Sequence, residues 1–447
     1  EFNARLKKDI WDDVSIEFSP QDSVDNTNII GLNRKEYFSN KDENTYSFYD
    51  TVGSFNNIDL VFDFAEHVYE KEIQTKYFNI DLNRAFDFNN YEGLRVGIGV
   101  NKDVGKKEHV NVGGHIAYGL TDNDAKYGLG IRYKIFPLNK LTFFGGIDNE
   151  TYESAQSIYS FYRYQYSTEW LRRFSIDIMD VAQRYHVGFE TSPLKYTSFS
   201  FRLMSSKNFT PYSYQYKDNT SHIYQYTDIE MGLRFAFGET NFKLYNNKFR
   251  LKTHFPVLWT KFNFGLDNFL GGDYDYFKFD SRVEYTMRSF LMGIGHVQFN
   301  FGHAIGDLPY YQLFEGYGAQ GAAVAHNRFE TMGINEFLSS TYINMFLTYE
   351  IVELYFRNHP KFKPSIELDY NFGVGSLKNK EDHKKFNFNT MEKSYHEAGL
   401  SIRNLVTFKI VVANIGLGIG NYLRFGPYAY PTLIENYNAK VFLTLSL

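Results

Sequence analysis

Apolar side chains in this chain recur at every second residue through segments of about ten, and the residues between them are mostly glycines and charges. Segment 94–100 places Leu94, Val96, Ile98 and Val100 on one face and Arg95, Gly97 and Gly99 on the other. Segment 126–135 sets Tyr127, Leu129, Ile131, Tyr133 and Ile135 against Lys126, Gly128, Gly130, Arg132 and Lys134. Segment 229–238 sets Ile229, Met231, Leu233, Phe235 and Phe237 against Glu230, Gly232, Arg234, Ala236 and Gly238. Segment 365–375 sets Ile366, Leu368, Tyr370, Phe372 and Val374 against Glu367, Asp369, Asn371, Gly373 and Gly375. A period of two marks a strand with two unlike faces. The last residues, AKVFLTLSL, alternate in the same way. A last strand in an open sheet would bare an edge that soluble proteins blunt. Pairing of the last strand with the first, closing a barrel, removes that edge.

Alternation alone also fits a soluble sandwich with its apolar face inward. Three features favour the inverted arrangement of an all-β, transmembrane antiparallel β-barrel. The polar face is rich in glycine and in charges of both signs, as a crowded lumen is. Aromatic residues gather towards segment ends, as in interfacial girdles; the chain has 44 Phe and 37 Tyr but only 3 Trp. No linker-like break follows residue 76 in a chain of 447 residues. A helical membrane protein is excluded, because the longest nearly apolar run, Ile410 to Gly420, is about half of the ~20 residues a spanning helix needs. The net charge of −5 excludes a nucleic-acid footprint, and the absence of Cys excludes thiolate catalysis and Cys-ligated zinc. No leader is read ahead of Glu1, and the outer membrane is the expected location.

Strands are expected near 76–84, 92–101, 109–120, 126–136, 141–149, 183–191, 196–206, 222–237, 255–266, 274–288, 291–303, 338–351, 363–376, 394–405, 407–421 and 436–447. That makes about sixteen, with fourteen as the alternative, and an even count puts both ends on the periplasmic side. Tight connections at 137–140, 192–195 and 406 fit that side; the long stretches 150–182, 304–337, 377–393 and 422–435 fit the outer side. The connection 238–254 is long for a periplasmic turn. Residues 1–75 are expected as a periplasmic linker ahead of a barrel over 76–447. Ile58, Val61, Ala65, Val68 and Tyr69 predict a short helix over 57–72, and Trp170, Leu171, Phe174, Ile178 and Val181 predict another inside the loop 150–182.

Four phrases carry a resemblance. They are Asn89-Asn90-Tyr91-Glu92-Gly93-Leu94-Arg95-Val96-Gly97, then Tyr274-Asp275-Tyr276-Phe277-Lys278 after a strand containing Pro256, then Gly306-Asp307-Leu308-Pro309-Tyr310, and Tyr395-His396-Glu397-Ala398-Gly399-Leu400. In this order they resemble a Bacteroidota outer-membrane barrel family of unknown function over most of residues 45–447. Members of that family usually join an N-terminal carboxypeptidase-like regulatory domain to the barrel; that domain is not in this sequence. More distantly, the chain resembles the BamA/TamA and two-partner-secretion barrels, which have sixteen strands and a long loop after the eleventh that folds into the lumen. Here 304–337 follows the eleventh expected strand, and Asn327-Arg328-Phe329 stands where those barrels carry an Arg-Gly-aromatic tip. The loop likeness makes Arg328 a candidate for locking the lumen.

The expected inward set is Arg95, Arg132, Lys134, Arg184, His186, Glu190, Glu230, Arg234, Glu367, Asp369, Glu397 and Arg403. Such a set is either a charge-selective pore lining or a lattice of paired charges that fills and stiffens the lumen. Mixed signs favour the lattice, because buried charges are normally paired. His186, His296, His303 and His396 show no metal-ligand spacing, and no cofactor is expected. His186 near Asp180 raises a rim hydrolase, but an interior polar histidine is the simpler reading. Gly97, Gly99, Gly416, Gly418 and Gly420 lack the strand-turn-helix setting of a phosphate loop. The expected role is non-enzymatic: a component of an envelope translocation, assembly or scaffold complex, meeting outer-membrane lipid, lipopolysaccharide and other envelope proteins but no nucleic acid. A porin-like diffusion channel is the main rival, and a barrel-embedded hydrolase the third reading.

Overall fold

The computed structural model describes residues 72–446, except 105–108, 136–140, 156–158, 160, 162–171, 173–174, 177, 211–212, 220–221, 245–246, 252, 290–292, 352–361, 363 and 411–412. The chain divides into two units, Glu1–Tyr69 and Glu70–Leu447. Of the linker expected over 1–75 and the helix expected over 57–72, only residues 72–75 are among those described, and Glu72 opens a short strand, Glu72–Gln74.

Eighteen strand segments join in one sheet. Asn79–Asp81 and Phe86–Asn89 pair with the same neighbour and are separated by one 3-10 turn at Leu82–Arg84, so they form one interrupted strand, β1. Glu72–Gln74 is a hairpin leg folded back on it. Among the described residues, sixteen consecutive antiparallel strands remain once that leg is set aside and β1 is counted once. The others are β2 (Gly93–Val104), β3 (Val110–Gly119), β4 (Ala125–Ile135), β5 (Leu141–Glu153), β6 (Met179–Thr191), β7 (Thr197–Phe209), β8 (Ile223–Ala236) and β9 (Val257–Gly265). Then follow β10 (Tyr276–Ser289), β11 (Gly293–Gly306), β12 (Thr341–Ile351), β13 (Ser365–Ser376), β14 (Tyr395–Ile410), β15 (Ala413–Phe425) and β16 (Tyr437–Ser446).

The faces are inverted relative to a soluble protein. Leu94, Val96, Ile98 and Val100 are exposed, while Arg95 between them is buried. Leu129 is 63% exposed and Ile131 50%, and the pattern recurs at Val187, Leu368, Leu400, Ile419 and Val441. An apolar exterior around a polar interior suits lipid, where each backbone polar group must find its partner inside the sheet. The chain is an outer-membrane β-barrel.

Alternate strands return to one end, where the connections are short apart from 237–256 and 352–364. The opposite end carries 154–178, 210–222, 307–340, 377–394 and 426–436. The long near-end connection has an explanation: it contains its own hairpin, Thr240–Leu244 paired with Asn247–Leu251.

Three local expectations are corrected. β5 and β6 run longer than read, and Val181 pairs with Thr151 and Phe209 inside β6; Trp170, Leu171 and Phe174 of the helix expected there lie outside the described residues. The break expected at 406 is a bulge within β14. Between the pairs Ile402–Ile419 and Val406–Leu417 that strand advances four residues against two, with Asn404 in the left-handed region at φ 54°. The bulge interrupts the ladder locally without ending the strand. Third, the last strand was expected to pair with the first. Among the described residues β16 pairs with β15 on one side, and its other edge meets a loop.

Candidate functional site: a loop folded into the lumen

The connection between β11 and β12, residues 307–340, turns inward and is mostly buried, with Gln320 and Ala322 exposed. Its apolar residues explain why. Phe329 packs on Phe346 and Tyr395 with ring centroids 5.0 and 4.9 Å apart, and Phe337 packs on Tyr428 at 5.0 Å. Glycines on the wall make the room. A Cβ at Gly373 would lie 2.8 Å from the Phe329 ring, and one at Gly420 would lie 3.0 Å from Val324. The inward glycines of β13 and β15 therefore admit the loop.

Polar anchors fix its position. The Glu397 carboxylate on β14 accepts the Thr331 backbone N–H and hydroxyl, each at 2.6 Å, the Glu330 N–H at 3.0 Å and the Asn371 amide at 2.8 Å. Lys440 on β16 donates to the Ala319 carbonyl at 2.7 Å, to the Ala323 carbonyl at 3.4 Å and to the Glu330 carboxylate. Asn438 donates to the Glu330 carbonyl at 2.9 Å. Backbone bonds complete the attachment to β16: the Val441 N–H donates to Ala322 O at 2.8 Å, and the Val324 N–H donates to Val441 O at 3.0 Å. On the other side of the loop, Glu315 accepts the Gly318 N–H at 2.7 Å and sits 3.5 Å from the Arg328 guanidinium. Arg172 pairs with Glu153 and donates to Gly318 O at 3.2 Å.

Burial pushes the Glu330 carboxyl up to about 8, outweighing the opposing attraction of the Lys440 ammonium. The docked loop thus holds a proton on Glu330 that a released loop sheds near its ordinary pKa. Stability of the docked state is therefore complete below about pH 4.5 and falls as pH rises towards about 8. Protease nicking within 318–328 is expected to increase over that interval in wild type and to lose its pH dependence in Glu330→Gln.

The predicted inward residues fall into several groups. Arg95 makes a two-pronged contact with Glu150 at 2.6 and 2.8 Å, and Arg84, brought inward by the turn in β1, reaches the same carboxylate at 3.1 Å. Glu230 pairs with Arg202 at 2.8 Å, and Arg234 with Glu239. Arg403 bridges Glu350 at 2.9 Å and Glu367 at 3.0 Å, and two residues beyond Glu367, Asp369 accepts from Thr348 at 2.7 Å. Arg132 and Glu190 approach to 3.7 Å while remaining partly exposed. Arg184 stacks on the Tyr152 ring at 3.2 Å. The Lys134 backbone N–H donates to His109 O at 2.7 Å, and its carbonyl lies 3.1 Å from the His109 ring. His186 lies 3.6 Å from Asp148, not beside Asp180; Asp180 instead accepts from Ser154 and Tyr310 under the loop and from Thr210 at 3.2 Å. Glu397 and Arg328 are the two members that touch the loop or belong to it.

The sequence reading missed Glu330, Lys440, Glu315 and Arg172. Lys440 was visible as the charged inward member of the final alternation, and Glu330 as the acid two residues beyond Arg328, but nothing in one sequence links positions so far apart. It also missed a lid. Gln215–Tyr216 pairs with His383–Lys384 and joins two far-end loops. Around that ladder Tyr214, Tyr224, Tyr274, Tyr310 and Tyr311 form one buried cluster. Burial among these rings pulls His383 down to about 4. Among the described residues no group of three metal-ligating side chains occurs.

Residues 59–305 match the model for the C-terminal domain of DUF5686, a family of unknown function. No curated protein matches the chain. Of solved structures, it is similar to BamA from Haemophilus ducreyi lacking POTRA domains 1–3, at 10% identity and TM-score 0.49, over 81% of this chain and 69% of that one. It is similar to CdiB from Acinetobacter baumannii at 10% identity and TM-score 0.40, over 80% and 57%. It is also similar to OccK3 (OpdO) from Pseudomonas aeruginosa at 13% identity and TM-score 0.36, over 83% and 93%. These are likenesses of fold.

Proposed function

The chain belongs to DUF5686, a family of unknown function, through its C-terminal domain, and from that premise we propose that it is a plugged, non-enzymatic barrel. Its role is as a component of an envelope translocation, assembly or scaffold complex. Its surroundings are outer-membrane lipid, lipopolysaccharide and other envelope proteins. One observation carries the reading: the loop 307–340 occupies the lumen and is held by buried polar anchors from β13, β14 and β16. A diffusion pore works through an open, water-filled lumen. Here opposite charges pair along the wall, and a buried tyrosine cluster surrounds the ladder that joins two far-end loops. The non-enzymatic reading takes the wall histidines as polar packing: His186 lies 3.6 Å from the Asp148 carboxylate, and His396, 3.0 Å from the Ser394 hydroxyl, is stacked on the Phe425 ring.

Planar-bilayer recording tests this. The reconstituted wild-type protein is expected to be electrically silent, with brief small openings at most. Steady nanosiemens-scale currents from every inserted molecule would overturn the plugged reading in favour of a diffusion channel.

A further inference from the structure

The near-end connection between β8 and β9 carries a hairpin of its own, which the plugged lumen does not use. Thr240–Leu244 pairs with Asn247–Leu251, and among the described residues no third strand joins them. An isolated two-stranded hairpin is marginal in water and needs a surface to pack on. The register shows what kind of surface that is. Phe242 stands opposite Phe249 and Thr240 opposite Leu251; by alternation these residues share one face with Leu244. Lys243 stands opposite Lys248, and Asn241 opposite Arg250, on the other face. Like charges directly opposite each other destabilise an antiparallel pair, so the Lys243–Lys248 pair calls for an anion. The surrounding sequence supplies none: residues 240–254 contain Lys243, Lys248, Arg250 and Lys252 but no Asp or Glu, in a chain of net charge −5.

The root of the hairpin is an aromatic collar on the lipid-facing wall. Gly238, in the left-handed region at φ 68°, breaks the chain away from β8, and a Cβ there would lie 3.0 Å from the Phe255 ring. Phe237 and Phe255 meet edge to face at 4.8 Å, and Tyr196, in the turn between β6 and β7, meets Phe237 at 5.2 Å. Both phenylalanines are exposed, as is Leu194 in the same turn as Tyr196. The Lys195 ammonium lies 5.1 Å over the Tyr196 ring. The Thr253 hydroxyl donates to Phe237 O at 2.7 Å and accepts the Phe255 N–H at 2.9 Å, which ties the two legs together where they leave the wall. Aromatic residues at strand ends mark the membrane interface of such barrels, so the hairpin springs from headgroup level. The even strand count puts this end on the periplasmic side.

We infer that the hairpin 240–251 is an interfacial anchor that binds anionic phospholipid in the periplasmic leaflet. It lies along the interface with the face of Phe242, Leu244, Phe249 and Leu251 towards the acyl chains. Lys243, Lys248 and Arg250 meet headgroup phosphates, which relieves the repulsion across the Lys243–Lys248 pair. Two observations select this occupant: the charge of the basic face, and the continuity of the root with the apolar wall. Basic segments close to an anionic membrane surface are held by its potential, and that attraction is screened by salt.

The chain has no cysteine, so single labels test this in the full-length protein. Asn247→Cys carries a nitrobenzoxadiazole label at an apolar-face position, and Asn241→Cys carries one at a basic-face position. Each variant is reconstituted into vesicles of phosphatidylethanolamine and phosphatidylglycerol, and heat-modifiable migration on gels establishes that it is folded. Nitroxide-bearing phospholipid is expected to quench the label at 247 several-fold more than the label at 241. Replacing phosphatidylglycerol by phosphatidylcholine is expected to reduce quenching at 247 several-fold, and so is the triple change Lys243→Gln, Lys248→Gln, Arg250→Gln. Equal quenching at the two positions would overturn the anchor. Quenching at 247 that ignores both changes would overturn the anionic ligand. A label at 247 shielded from acrylamide in native outer membranes, but not in the phosphatidylglycerol vesicles, would assign the apolar face to a protein partner and overturn the lipid site. The triple variant is expected to stay as electrically silent as the wild type, so failure of the anchor and failure of the plugged lumen are read separately.

Discussion

Replacing Lys440 by methionine is expected to weaken loop docking by about 3 kcal/mol and to turn an electrically silent barrel into a conducting one. The ammonium is buried and serves three acceptors, the carbonyls of Ala319 and Ala323 and the carboxyl of Glu330. Methionine fills a similar volume but donates no hydrogen bond, so the two carbonyls lose this donor at once and Glu330 is left with the Ala325 N–H. Leaving buried polar groups unsatisfied costs about 1–3 kcal/mol each, partly relieved by water that enters as the loop loosens. Glu397, Asn371 and Asn438 still hold the stretch 328–331. The strap at 319–324 should therefore leave first, and single-channel records should show frequent large openings. The companion change is as informative. Lys440→Met combined with Glu330→Leu replaces the polar pair by an apolar one, and such replacements are often close to neutral. The double variant is expected to recover most of the stability and most of the electrical silence. Guanidinium unfolding in lipid vesicles and bilayer recording measure the two effects. If Lys440→Met is as stable and as silent as the wild type, the loop is held by something other than this cluster.

What the sequence disclosed and what it concealed divide along a physical line. The strands were legible because lipid outside and a polar lumen inside impose two unlike faces on each one. Leu94, Val96, Ile98 and Val100 announce that directly, and sixteen strands could be counted from the pattern. Features that leave the alternation intact were hidden. The bulge at Asn404 adds two residues to β14, which preserves parity, so it read as a turn. The 3-10 turn at Leu82–Arg84 splits β1 and sends Arg84 to Glu150, a contact that period-two reasoning cannot foresee. The inward charges were legible as a set, because their positions follow from the face, but their partners were not. Arg403 reaches both Glu350 and Glu367 because β12, β13 and β14 are neighbours, whereas His186 meets Asp148 on β5 and not Asp180 on its own strand. Loop 307–340 was visible only as a long glycine- and alanine-rich connection. Its anchors, Glu397 and Lys440, lie on strands whose distance from it in sequence bears no relation to their distance in space.

The inversion of faces itself yields the other large effect. Leu129→Arg is expected to destabilise the membrane-inserted barrel by about 2–4 kcal/mol, the cost of an arginine at the midplane of a lipid-facing strand. Leu129 lies near the middle of β4, opposite Ile147 of β5 and Gly114 of β3. On a soluble protein a leucine exposed to this degree is an inexpensive place for a charge, and surface substitutions there usually change stability by less than about 0.5 kcal/mol. The next residue supplies the control. Gly130 belongs to the lumen face, and a Cβ built on it meets only the Gly145 carbonyl, at 3.8 Å, so Gly130→Ser finds space and water-facing polarity. The pair Leu129→Arg and Gly130→Ser therefore reads the direction of each face from adjacent residues on one strand. Folding titrations into vesicles are expected to show a large loss for the first and little change for the second. In detergent micelles, whose apolar layer deforms around a charge more readily than a bilayer does, the difference between them should shrink. Equal tolerance of both substitutions in a bilayer would mean that Leu129 does not face hydrocarbon. The outward placement of Ile131, Val187, Leu400 and Val441 would then need another explanation than lipid.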